Sequence, residues 1–178
     1  MNNSMRTYKI MKNKATFLFI VLLLSPSLLY AWEGKVVSVT DGDTIKVLSN
    51  GIQVKIRLAA IDCPEKGQPW GKKAKQFTSH MVLHKTVVVL PEGEDRYGRI
   101  IGWVFIEEIN LNKTLLRAGL AWHYRQYSSD SLLTALEMEA RVMKKGLWSE
   151  PDPVPPWEWR RRQKNQAESW MARWYHNF

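Results

Sequence analysis

Apolar and polar residues alternate along residues 44–48 (Thr-Ile-Lys-Val-Leu) and again along 52–56 (Ile-Gln-Val-Lys-Ile). A period of two is the pattern of a half-buried strand, because successive side chains point to opposite faces. Asn50-Gly51 between the two runs tolerates the positive φ angles of a type I′ turn, so the runs are predicted to form a hairpin. A β-branched run at 34–39 and apolar runs at 86–90 and 100–106 read as three more strands, with an acidic turn at 91–95 between the last two. Elsewhere the period is helical. Ala74, Phe77 and Met81 share one face of a helix predicted over 72–83, with Lys72, Lys73 and Lys75 around the rest. A short helix is predicted over 111–119. A longer one over 130–145 is capped by Ser129 or Asp130 and buries Leu133, Leu136, Ala140 and Met143. Lys144 and Lys145 suit its negative end, and Gly146 stops it. Pattern alone therefore gives a mainly β fold with helices, either a small β-barrel or an α+β domain.

The first 31 residues break this picture. A basic stretch precedes the apolar run 15–24, and Ser25-Pro26-Ser27 interrupts it before Leu28-Leu29-Tyr30-Ala31. This is the layout of a secretory signal peptide cleaved after Ala31. The alternative is an uncleaved N-terminal membrane anchor, although ten residues are short for a span. Either way the domain is expected outside the cytoplasm, exported to the periplasm or secreted. The domain follows over 32–150. Residues 151–156 (Pro-Asp-Pro-Val-Pro-Pro) form an extended spacer, and 157–178 are a Trp/Arg-rich tail. Trp157 and Trp159 are expected to fold back on the domain. The remaining tail suits stacking on single-stranded bases, a membrane-surface helix or a helix packed on the core, and the pattern leaves all three open.

Charge changes the picture modestly. The chain has 26 Lys and Arg against 17 Asp and Glu, a net charge of +9. Four of the basic residues (Arg6, Lys9, Lys12 and Lys14) lie in the acid-free leader, which leaves +5 for the rest. That balance favours a polyanionic partner such as nucleic acid. Cys63 is the single cysteine, so no internal disulfide exists. No histidine is near it in sequence, and a small structural role is expected rather than a nucleophilic one. His80 and His84 have the spacing of metal ligands on a helix but no third ligand nearby, so they read as surface residues.

Chemistry concentrates in three polar knots. They are Asp41-Gly42-Asp43-Thr44, Arg57 inside an apolar strand, and Asp62-Cys63-Pro64-Glu65. Folding the hairpin brings the start of one strand beside the end of the next, so Asp43, Asp62 and Glu65 can converge. A strand guanidinium costs several kcal/mol to bury unless it is paired, so Arg57 is expected to face carboxylates and a phosphate. Asp95-Arg96-Tyr97-Gly98-Arg99 adds a second arginine at the start of a strand. Hard-oxygen acids with two arginines are the parts of a metal-assisted phosphoryl-transfer site.

Asp-Gly-Asp-Thr, Arg-Leu-Ala-Ala-Ile-Asp-Cys-Pro-Glu and Asp-Arg-Tyr-Gly-Arg, in this order and spacing, resemble the staphylococcal (thermonuclease) nuclease family over roughly residues 35–149. The resemblance implies an OB-fold, a five-stranded Greek-key barrel with about three helices. It implies a Ca2+-dependent nuclease acting on DNA and RNA with little sequence preference and leaving 3'-phosphate ends. It implies Asp43, Asp62 and the backbone carbonyl of Cys63 as metal ligands, Glu65 as general base, and Arg57 and Arg99 as the active-site arginines. Arg96 and Tyr97 match positions that hold or flank a terminal phosphate. The Glu65–Trp70 loop is shorter than in the staphylococcal enzyme. Trp122, Tyr124 and Tyr127 lie where the family places a tyrosine against the base or sugar, and packing on the barrel is the equal alternative. No obligate protein partner is signalled, and a monomer is expected. The rival reading is a non-catalytic nucleic-acid-binding module on the same barrel, and the complete set of acids and arginines argues against it.

Overall fold

Residues 30–176 are described in the computed structural model, and they lead directly into β1 (Trp32–Asp41). The predicted leader lies outside the described residues as far as residue 29. β1 is longer than its β-branched run because both of its halves find a partner. Trp32 to Lys35 pair antiparallel with β5 (Thr86–Glu94), and Lys35 to Asp41 pair antiparallel with β2 (Thr44–Ser49). Two register shifts bend β1 from one neighbour towards the other.

The predicted hairpin forms. Asn50 and Gly51 take φ angles of 49° and 80°, and β2 pairs with β3 (Ile52–Leu58) from Ser49 opposite Ile52 to Thr44 opposite Arg57. β5 pairs antiparallel with β6 (Ile100–Ile106), and β3 pairs parallel with β6, which sets Arg57 opposite Ile101. That last pairing closes β1, β2, β3, β6 and β5 into a five-stranded barrel of OB type. β7 (Ile109–Asn110) extends the sheet beyond β6. β4 (Ile61–Asp62) and β8 (Trp122–His123) form a separate antiparallel ribbon, with Asp62 opposite Trp122.

The barrel is filled by Val36, Ile45, Val47, Ile56, Val89 and Val104, all fully buried. Each such side chain contributes about 1.5–3 kcal/mol relative to exposure. Helix α1 (Gly71–Val82) adds Ala74 and Val82, α2 (Leu111–Arg117) adds Leu115 and Leu116, and α3 (Ser131–Val142) adds Leu133. Asn112 is fully buried and ties the closure together: its Oδ1 accepts from Val104 N at 3.2 Å, and its Nδ2 donates to the Ala59 carbonyl at 2.9 Å.

Three expectations change. β5 runs to Glu94 through the predicted acidic turn, because Pro91 sits at a register shift where the lost ladder donor is tolerated. Asp130 caps α3 as predicted, its side chain accepting from Leu132 N, but the helix ends at Val142. Met143 has then left the helical path and is exposed, not part of the buried stripe. A fourth helix, α4 (Pro156–His176), forms from the segment read as a tail. Its first turn lies against the domain, with Pro156 buried and Trp157, Glu158 and Trp159 half-buried, and residues 160–174 are exposed. No described helix is long and apolar enough to cross a membrane.

Candidate active site

The turn between β1 and β2 is fixed from three sides. A Cβ on Gly42 would stand 2.7 Å from the Cβ of Cys63 and 2.8 Å from that of Ala74. The Gly42 carbonyl accepts from Thr78 Oγ1 at 2.6 Å, which anchors the turn to α1. The glycine of Asp-Gly-Asp is therefore present for close approach, a reason invisible in the motif itself. The next carbonyl, that of Asp43, accepts from Leu58 N at 2.8 Å, so the end of β3 holds Asp43 in place.

Arg57 stands between the acids. Its Nη1 is 2.9 Å from Asp43 Oδ2, and its Nη2 is 2.7 Å from Asp62 Oδ1. Nη1 also donates to the carbonyls of Leu58 at 3.2 Å and Ile61 at 3.0 Å. The side chain is 14% exposed, so the pairing is what makes its burial tolerable. Burial opposes the charge, but Asp43 first and Asp62 next raise the guanidinium above its ordinary range. The hairpin thus brings Asp43 and Asp62 onto one arginine, as the sequence predicts.

Negative charge is crowded here. Burial, then the Asp43 charge, pushes Asp41 up to about 7. Burial also pushes Asp62 up to about 6, with Arg160 and Arg57 pulling the other way. Asp43 Oδ2 accepts from Cys63 N at 2.7 Å, and Asp43 Oδ1 accepts from Thr44 Oγ1 at 3.2 Å. The Cys63 thiol is buried against Gly42, and burial raises it well above the usual thiol range, which fits a structural residue and not a nucleophile.

Glu65 begins the loop that leads to α1. Its backbone N–H donates to Gln68 Oε1 at 3.0 Å, and its carbonyl lies where a Cβ on Gly71 would sit. Its carboxylate pairs with Arg160 of α4. Arg99 lies in the turn just before β6, two positions ahead of the Ile101 that pairs with Arg57, and its ion pair is with Asp95 of the same turn, Nε to Oδ2 at 2.6 Å. Burial works against the Asp95 charge, but bonds from the Arg99 backbone and side chain hold its carboxyl below the usual range. Arg96 and Tyr97 are exposed, and the Arg96 Nη2 donates to the Tyr97 hydroxyl at 2.7 Å. His80 and His84 are exposed on the surface, as predicted.

Arg160 is the charged residue that sequence reasoning missed. Its Nη2 is 2.9 Å from Asp62 Oδ2, and its Nη1 bonds Asp62 Oδ1 at 3.3 Å and also Glu65 Oε1. Burial opposes its charge, but the bonds and charges of Asp62 and Glu65 raise its pKa. The sequence places Arg160 in the Trp/Arg-rich tail, for which the pattern leaves base stacking, a membrane-surface helix and packing on the core all open. Its only sequence signal is Trp157, one helical turn earlier, which is predicted to fold back. That ring does pack, stacking on Tyr124 and meeting Trp122 edge-on.

Three carboxyl groups, Asp43, Asp62 and Glu65, pair with two guanidiniums, Arg57 and Arg160, and Asp41, which accepts from Asp43 N at 3.3 Å, adds a fourth, which leaves a surplus of hard oxygen donors. That chemistry fits an oxygen-seeking divalent cation. Among the described residues no group of three or more His, Cys, Asp and Glu is arranged to hold a metal by side chains alone. A cation here would therefore draw on backbone oxygen and water as well as on carboxylates.

Residues 55–150 match the family model described as staphylococcal nuclease homologue. An uncharacterised endonuclease of Escherichia coli is 49% identical over 131 residues, covering 73% of this chain and 86% of that protein. A micrococcal nuclease of Shigella flexneri is 38% identical over 157 residues, covering 82% of this chain and 90% of that one. Protein ParB of Escherichia coli is 37% identical over 177 residues, 92% of this chain and 97% of its own. With the barrel, the convergent acids and these likenesses together, the chain belongs to the staphylococcal nuclease family and is a nuclease, a hydrolase of phosphodiester bonds.

Proposed function

We propose that this protein is an exported, Ca2+-dependent nuclease that cuts DNA and RNA with little sequence preference and leaves 3'-phosphate ends. One observation carries the reading: Asp43 and Asp62, distant in sequence and both buried, converge on the same arginine, and Asp62 shares Arg160 with Glu65. Asp43, Asp62 and the carbonyl of Cys63 would hold the cation. When bound, Ca2+ supplies Lewis-acid stabilisation of the phosphoryl oxygens. Glu65 takes a proton from the attacking water, whose oxygen bonds to phosphorus as the 5'-oxygen leaves with a proton from solvent. Arg57 keeps the two acids aligned. Arg99, exchanging Asp95 for the phosphate, neutralises charge on its oxygens, and one such preorganised donor is worth on the order of 3 kcal/mol. Phosphate contacts carry no sequence information, which accounts for low specificity.

The test is cleavage of supercoiled plasmid and of a short single strand by the purified protein, with Ca2+ and with chelator, beside Glu65→Gln. The expected result is Ca2+-dependent cleavage that falls by about 10²–10⁴ in the variant. Product ends that a polymerase extends only after phosphatase treatment identify the 3'-phosphate. Cleavage indifferent to chelator, or a Glu65→Gln protein at the wild-type rate, sinks the mechanism. Export is read from the N-terminus of the protein recovered outside the cytoplasm, expected to begin at Trp32.

A further inference from the structure

The segment after the barrel is built into the loop that carries Glu65. Gln68 Nε2 donates to the Val154 carbonyl at 2.7 Å, and Trp70 Nε1 donates to Glu150 Oε1 at 3.1 Å. Trp157 stacks on Tyr124 with ring centroids 5.4 Å apart and planes 3° apart. It also stands edge-on to Trp122, whose strand residue lies opposite Asp62. These contacts fix the first turn of α4 beside the β4–β8 ribbon. One turn further on, Arg160 spans Asp62 and Glu65.

We propose that Arg160 is a positioning residue of the reaction: the C-terminal helix aims the Glu65 carboxylate through the Arg160 guanidinium. This rests on the reading of Glu65 as the general base. A glutamate in a loop has three rotatable side-chain bonds and spreads over several rotamers unless it is held. Arg160 takes Oε1 and, among the described residues, leaves Oε2 open for the water. Arg57 does not reach this carboxylate, because its Nη1 and Nη2 are held by Asp43, Asp62 and two backbone carbonyls. Arg160 is also bidentate on Asp62, with Nη1 on Oδ1 and Nη2 on Oδ2, so the same group fixes the spacing between the base and a proposed metal ligand. The rival role is a counter-ion that the cation merely displaces. It predicts the opposite kinetics, since deleting a competitor speeds or spares the reaction.

The experiment compares Arg160→Ala, Arg160→Lys, Arg162→Ala and Glu65→Gln in the full chain, cleaving a short single-stranded oligodeoxynucleotide with Ca2+. Arg162 lies on the same helix and pairs with Glu158 on the surface, so its variant removes the same charge away from the site. Arg160→Ala is expected to lower kcat by about tenfold to a hundredfold with KM unchanged, the scale of a misplaced reacting group. Arg160→Lys is expected to recover part of the loss, and Arg162→Ala none of it to lose. In the Glu65→Gln background Arg160→Ala is expected to add nothing, because a residue acting through Glu65 has no further effect once Glu65 is gone. Backbone amides of residues 65–70 are expected to exchange faster in Arg160→Ala without any cation present. An Arg160→Ala rate at or above wild type, or an effect that multiplies with that of Glu65→Gln, overturns this proposal alone. Wild-type protein without Ca2+-dependent cleavage overturns it together with the reading it rests on.

Discussion

Arg57 and Arg160 both bind Asp62, one from within the barrel and the other from outside it. Arg57 is placed by the β2–β3 ladder and by two backbone carbonyls, and it is 14% exposed. Arg160 is placed by side chains that pack nearly a hundred residues later in the chain, and it is 43% exposed. The inner pair is part of the fold, because the Arg57 guanidinium lies against two buried carboxylates and is the ion partner of Asp43. The outer pair is dispensable to the fold, because water can replace it. One carboxylate, 1% exposed, thus joins a structural wall to a functional one.

The widest gap between the two walls is expected in stability. Arg57→Ala leaves Asp43 buried without its ion partner and Asp62 with Arg160 alone, and is expected to cost about 3–5 kcal/mol in denaturant unfolding without added cation. Arg160→Ala breaks a half-exposed pair and is expected to cost no more than about 1 kcal/mol. Equal losses in the two variants would erase the distinction. The second test stays on the inner wall. Gly42→Ala places a methyl group against Cys63 and Ala74, and forcing that space open is expected to cost about 1–3 kcal/mol. An unchanged unfolding midpoint would mean that the turn yields, and that Asp43 is less fixed than its bonds imply.

The inner wall is the part that can be read in the sequence. Period-two alternation and Asn50-Gly51 fix the hairpin register, and the register alone brings Asp43 towards Arg57 and Asp62. The outer wall is not legible, because no local rule links Arg160 to Glu65 or Gln68 to Val154. Those contacts depend on where Trp157 stacks, which is decided by the finished surface around Tyr124 and Trp122. Prolines at 151–156 read as a spacer, but they carry no information about where that segment delivers the helix that begins at Pro156. Arg99 falls between the two cases. Its place at the mouth of β6 is readable to within one residue, but the Asp95 pair that holds it depends on a turn conformation the pattern does not specify.

The third test separates the outer wall from the barrel. Trp157→Ala removes the stacked pair and is expected to cost at least about 1 kcal/mol, the scale of one aromatic pair beyond the area it buries. Its larger consequence is local: α4 loses its first anchor, so amide exchange at residues 65–70 is expected to rise while the barrel strands stay protected. Faster exchange throughout the barrel would show that the helix is an integral part of the core.

The smallest effect concerns pH, and it again divides the walls. His123 follows Trp122 in β8, is 2% exposed, and has Nδ1 3.1 Å from Thr134 Oγ1. Burial lowers its pKa from 6.5, with Glu137 and Asp130 opposing and Arg125 assisting. A depressed folded pKa means that the fold favours the neutral ring. This contribution is present above 6.5 and is lost as pH falls through the folded value. Asp41 and Asp62 act in the opposite sense. Their carboxyls, raised by burial from 3.8 to about 7 and about 6, contribute stability below 3.8 that is lost as pH rises through those values. Acidification of the cation-free protein therefore strengthens the acid cluster and weakens the ribbon behind Trp122, and the wild-type curve by itself shows only their sum. The informative quantity is the difference in melting temperature between wild type and His123→Gln, followed from neutral pH to about pH 5. Wild type is expected to lose ground to the variant as the pH falls. Parallel curves would mean that His123 accepts its proton without cost, and that the ribbon yields to water more readily than the barrel beside it.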